Sequence, residues 1–182
     1  MGLPPDCEQL RPEVFRLLGK MIVNLQNYER MLKTLVSSSN VHLLPDHPGN
    51  PFESSRNRVS KMTLGMLARE FATGTMAPND VLDEEAPDGH FGFRIQSEGP
   101  VLEMLDQDIQ KLVQIRNDLA HRFTAMFDLG TAAGCASAIA HFDEVTPFVH
   151  EQYQRMRSWV SVLQGAIAEL YGWPDDQEEP QS

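Results

Sequence analysis

In the stretch PVLEMLDQDIQKLVQIRNDLAHRF, residues 100–123, apolar side chains recur at Leu102, Leu105, Ile109, Leu112, Leu119 and Phe123. Steps of three and four residues place them on one side of an α-helix, which turns once in about 3.6 residues. The same spacing passes through Arg116. The predicted core stripe therefore carries a guanidinium in its line, between Leu112 and Leu119. An unpaired charge in apolar surroundings costs several kcal/mol, so Arg116 needs a partner or a watery site. Beside it runs a polar stripe of Gln110, Gln114, Asn117 and His121. Asn117 and His121 are four apart and can touch. Arg116 and His121 are five apart, about 140° around an ideal helix, yet the long arginine lets both border one groove. The competing reading makes Arg116 the partner of a buried carboxylate and His121 an ordinary helix-end residue near the C-terminal dipole.

Upstream, apolar or aromatic residues at 14, 18, 21, 25, 28, 32 and 35 predict a long helix over Val14–Leu35. Pro12 suits its first turn, where the missing N–H is not needed, and Ser37-Ser38-Ser39-Asn40 ends it. Residues 38–58, rich in Ser, Asn, Pro, Gly and His, read as a loop. A shorter helix is predicted over 60–73, with Met62, Met66, Leu67 and Phe71 as its apolar face, Thr63 as cap and Gly74 as stop. Residues 75–97 form a long connector in which Phe91, Phe93 and Ile95 alternate with Gly92 and Arg94, the pattern of a short strand or extended flap. Downstream, Asp128, Gly130 and Gly134 punctuate the chain, and a small-residue helix is predicted over 131–145. Thr146-Pro147 reads as a cap followed by a first-turn proline, or else as a kink. A final helix to Tyr171 shows Val149, Tyr153, Met156, Val160, Leu163, Ile167 and Leu170 in the same repeat, with Trp173-Pro174 ending it. The fold class expected is all-α: an antiparallel up-and-down bundle of four to five helices, with residues 1–173 as one domain and 174–182 as an acidic disordered tail.

With 182 residues, 41% hydrophobic and 23% charged, the chain can bury a core without metal or disulfides. Cys7 and Cys135 could pair, but two cysteines in a chain this long make no framework, and they read as reduced thiols of a cytoplasmic protein. No stretch suits a bilayer, and the acidic N-terminus lacks the basic region of a signal peptide. The net charge of −11 argues against strong, unselective nucleic-acid binding. The excess lies in 80–98 and 143–182, whereas 56–69 carries Arg56, Arg58, Lys61 and Arg69 without an acid. A weak RNA-binding surface of Arg56, Arg58, Lys61 and Arg122 is the functional reading of those cations; ordinary solvated charge is the plain one. The six histidines show no ligand spacing joined to Cys or acid, so neither metal nor cofactor is expected. No phosphate-cradling glycine loop or nucleophile elbow occurs.

The string Ile115-Arg116-Asn117-Asp118-Leu119-Ala120-His121-Arg122-Phe123 resembles the signature of HEPN domains: arginine, a polar residue, three more residues, then histidine, late in a long helix. Asn27-Tyr28-Glu29 with Leu32-Lys33, and Thr63-Leu64-Gly65 with Leu67, resemble parts of uncharacterised bacterial members. The resemblance implies a bundle that is commonly dimeric, with two Arg–His motifs facing each other as one composite site. Many members are metal-independent ribonucleases acting as toxins, phage-defence effectors or RNA-processing enzymes. On that basis His121 would handle protons for attack of a 2′-OH on the adjacent phosphate, a task an imidazole suits. Arg116 would hold the phosphate, and Asn117 would orient either one. The partners implied are a second copy, RNA, and an antitoxin or defence protein. The alternative is a catalytically inactive HEPN-like scaffold in which Arg116 and His121 only stitch helices or protomers together.

Overall fold

The computed structural model describes residues 7–39, 41–42, 52–78 and 90–171. Helix α1 spans Cys7–Ser38, and a two-residue strand β1 follows at Val41–His42. Helices α2 (Glu53–Ser60) and α3 (Leu64–Gly74) lead to strands β2 (Met76–Pro78), β3 (His90–Phe91) and β4 (Ile95–Ser97). Helix α4 (Gly99–Asn117) passes through a π turn at Asp118–Arg122 into α5 (Phe123–Met126), and α6 covers Ala132–Tyr171. The predicted 1–173 domain and 174–182 tail fall in part outside these residues, as does most of the acidic 80–98 segment. The protein is mainly helical, as the periodicity required, and no described helix is long and apolar enough to cross a membrane.

The long helices alternate in direction. At one end Cys7 of α1 lies beside Cys135 of α6, and farther along Leu17 and Met21 face Asp143 and Pro147 across a cavity of about 280 Å³. These two helices therefore run parallel. Helix α4 runs against both: Asp108 meets Gln152 and Arg155, Lys111 sits 4.2 Å over the Phe148 ring, and the Phe123 ring lies tilted against Phe142. The core between them holds Tyr28, Leu32, Leu35, Leu112, Phe142, Met156 and Leu163, each almost or fully removed from solvent.

Several boundaries differ from the sequence reading, each for a local reason. Helix α1 starts five residues before Pro12, because Arg11 Nε and Cys7 Sγ donate to Leu129 O at 3.1 and 3.2 Å and so anchor its first turn. The serines at its end are buried yet satisfied: Ser37 and Ser38 hydroxyls donate to Thr34 O and the Ser39 hydroxyl to Val36 O. Back-bonding of this kind lets a polar run enter a core. The predicted 38–58 loop contains α2, whose only buried residue is Val59; one apolar position gives no period to detect. Helix α3 starts at Leu64, with Thr63 Oγ1 accepting from Met66 N at 3.4 Å. Its inner face is Leu64, Leu67, Ala68 and Phe71, and Met66 faces solvent.

The connector forms two small ladders, β1 with β3 antiparallel and β2 with β4 parallel, so the flap around Phe91–Ile95 pairs on both sides of a break. Helix α6 runs straight through Thr146-Pro147, so Thr146 is no cap and the 131–145 and 146–171 predictions merge. Its start is set by Thr131, whose hydroxyl accepts from Gly134 N at 3.1 Å. A side chain at Gly134 would collide with the Asp128 carbonyl, which explains the glycine in that turn.

Candidate functional site

The core stripe of α4 does not pass through Arg116. Leu105, Ile109, Leu112, Ile115, Leu119 and Phe123 are buried, and Ile115 takes the position assigned to the arginine. Ile115, Leu119 and Phe123 are spaced by four, which in a regular α-helix advances about 40° per step. A wider π turn at Asp118–Arg122 takes up that drift and keeps all three on the core. Such single-turn bulges are rare inside α-helices and recur at functional sites.

The π turn also changes which polar residues meet. Arg116 and His121, five apart, would diverge on an ideal helix; here Arg116 Nη1 lies 3.3 Å from His121 Nε2. The same nitrogen donates to Asn117 Oδ1 at 3.4 Å. Arg116 is thus the hub, and it takes the contact with His121 that the four-residue spacing suggested for Asn117. Arg116 and Asn117 are half-buried and His121 is exposed. A guanidinium only donates, so this contact is a hydrogen bond in the tautomer whose ring proton sits on Nδ1. No carboxylate pairs with Arg116 among the described residues.

Asp118 fixes the turn from both sides. Gln114 Nε2 donates to its two oxygens at 2.9 and 3.0 Å, and Arg122 Nη1 donates at 3.1 Å. Gln114, Asp118 and Arg122 stand four apart, the spacing at which such pairs form on a helix. The sequence reading placed Gln114 in the polar stripe and missed Asp118, although an amide four residues before a carboxylate was a readable signal.

The cations proposed for RNA are differently placed. Arg122 is tied to Asp118, and Arg58 forms an ion pair with Glu70 at 2.7 Å. Arg56 lies 5.8 Å from the Phe52 ring centre. Lys61, exposed at the end of α2, meets no carboxylate among the described residues. The junction after it approaches α4, for a Cβ on Gly65 would touch Val113, one turn before Arg116. Of the histidines, His141 packs between Phe127 and Phe142, and His150 lies 3.5 Å from Gln154; His47 lies outside the described residues. No family model, curated protein or solved structure matches the chain.

Proposed function

We propose that the protein is a HEPN-type endoribonuclease of the cytoplasm, acting without metal as a homodimer whose two Arg116–His121 pairs form one composite site. The observation that carries this reading is the Arg116 guanidinium, without a carboxylate partner among the described residues, held 3.3 Å from Nε2 of an exposed imidazole. A cation without a carboxylate is a site for an anion, and the open face suits a phosphodiester. When a phosphate oxygen takes the guanidinium, Nε2 of His121 is released as a base. It accepts the 2′-OH proton as that oxygen attacks phosphorus. The departing 5′-oxygen takes a proton from an imidazolium, either this one or its counterpart in the second copy. Arg116 steadies the charge that builds on the phosphoryl oxygens. The products are a 2′,3′-cyclic phosphate and a 5′-OH, and an antitoxin or defence protein is the partner such an activity calls for.

The experiment is RNA cleavage in EDTA, wild type beside His121→Ala, with the product ends identified. Cyclic-phosphate ends from the wild type alone support the reading. A second reading, a non-enzymatic scaffold, is favoured by the net charge of −11 and by an Arg–His contact completed within one chain. It predicts no cleavage by either protein and a loss of self-association in His121→Ala.

A further inference from the structure

The only two cysteines of the chain are 128 residues apart in sequence, and the fold puts their sulfurs 3.9 Å apart. Cys7 begins α1 and is half-buried; Cys135 lies in the first turn of α6 and is fully shielded. Both thiols point at the same acceptor, Leu129 O, at 3.2 and 3.6 Å. Arg11, one turn after Cys7, donates through Nη2 to Cys7 Sγ and through Nε to Leu129 O, each at 3.1 Å. Two thiols, one shared carbonyl and one guanidinium thus form one cluster outside the Arg116–His121 turn.

We propose that Cys7 and Cys135 are a peroxide-oxidised dithiol, in which Cys7 is oxidised first and Cys135 resolves it to an intramolecular disulfide. Accessibility sets the order, because only Cys7 has solvent contact. Burial pushes the Cys135 thiol up, so it stays protonated while Cys7 reacts. In the first step the Cys7 sulfur attacks one peroxide oxygen. The O–O bond breaks, a sulfenic acid forms, and the second oxygen leaves as water or alcohol after taking a proton. The Arg11 guanidinium stands where negative charge collects on that leaving oxygen. In the second step the Cys135 sulfur attacks the sulfenic sulfur, the S–O bond breaks, and water leaves with the Cys135 proton. Two electrons pass from the sulfur pair to one peroxide. A disulfide needs its sulfurs about 2.05 Å apart, so closure asks for an approach of about 2 Å at the two helix starts. The bond then ties the start of α1 to that of α6. This inference does not depend on the ribonuclease reading.

The test treats the full-length reduced protein with hydrogen peroxide and follows intact mass and cysteine peptides, with Cys7→Ser and Cys135→Ser alongside. Expected are loss of two hydrogens, a Cys7–Cys135 linked peptide, and a melting temperature higher by the order of 10 °C, reversed by dithiothreitol. Cys135→Ser should stop at a sulfenic acid on Cys7 that dimedone captures. Added oxygens on Cys7 without a linked peptide, an intermolecular Cys7–Cys7 dimer, or thiols that stay reduced would each overturn the proposal. The wild-type readout stands even if a variant fails to fold.

Discussion

Two arginines on neighbouring helices show what a charge does when it is paired and when it is not. Arg155 of α6 donates to Asp108 at 2.9 Å, to Gln152 at 3.0 Å and to Glu151 at 3.2 Å. Gln152, though buried, also gives its amide to Asp108 at 2.9 Å. Both bonds to Asp108 fall on its Oδ2, and the cluster joins α4 to α6. Two turns along α4, the partners of Arg116 among the described residues are an amide oxygen and an imidazole, both beyond 3.2 Å. The first arginine is part of the scaffold. The second keeps its charge available, and holding it that way required a distorted turn with its own carboxylate brace.

The contrast breaks most plainly on Arg116→Ala. On the ribonuclease reading, cleavage should fall by about 10²–10³, the usual loss for an oriented charge at the reacting group, while the unfolding free energy in urea changes by less than about 0.5 kcal/mol. If stability collapsed instead, Arg116 would belong with Arg155. Next in size, Arg155→Ala should cost about 2 kcal/mol in urea unfolding, because Asp108 is left facing a buried amide. The pair is one-quarter exposed, so the full penalty of a deeply buried charge is not expected.

Tyr28 sharpens the same comparison from the other side. Burial pushes its phenol well above the ordinary tyrosine range, with Arg155 opposing that rise and Asp108 adding to it. The folded pKa exceeds the unfolded one, so the native advantage is whole below the unfolded value of about 10 and is lost as pH climbs beyond it. Unfolding followed between pH 9 and 11 should show wild-type stability dropping by up to about 1.4 kcal/mol per pH unit more steeply than Tyr28→Phe. Equal slopes would mean that the phenol ionises in place.

The smallest effect is expected for Asp118→Asn. It keeps the shape but loses the charge that holds Arg122, which should lower stability by about 0.5 kcal/mol and, on the ribonuclease reading, cleavage by less than about tenfold. A pH–rate profile unchanged in shape would assign Asp118 to positioning His121 rather than to proton transfer.

The helices with one apolar stripe were legible because repeated burial leaves a period. Six of the seven predicted positions from Val14 to Leu35 are buried, and only Leu18 sits at the margin. What periodicity could not show was any place where one more residue enters a turn. Ile115 and Arg116 stand side by side in sequence, and either fits the stripe; the π turn decides between them through the positions of Leu119 and Phe123. Arg116 was therefore singled out for a burial it does not have, although its pairing with His121 is closer than helical spacing allows. Gln152 was missed for the opposite reason, since a buried amide looks like surface until Asp108 is brought to it from 44 residues away. The thiol cluster was beyond reach, because nothing in local spacing relates Cys7 to Cys135.

The parallel packing of α1 on α6 has a consequence for the order of events on the ribosome. At about 5–20 residues per second, roughly 6–25 s separate synthesis of the two helices. Throughout that interval Val14, Met21, Leu25 and Leu32 lack the surface that finally covers them. Contacts between segments so distant close late and slowly. The nascent chain is thus most exposed to chaperones, or to a neighbouring nascent copy, in the seconds before α6 emerges.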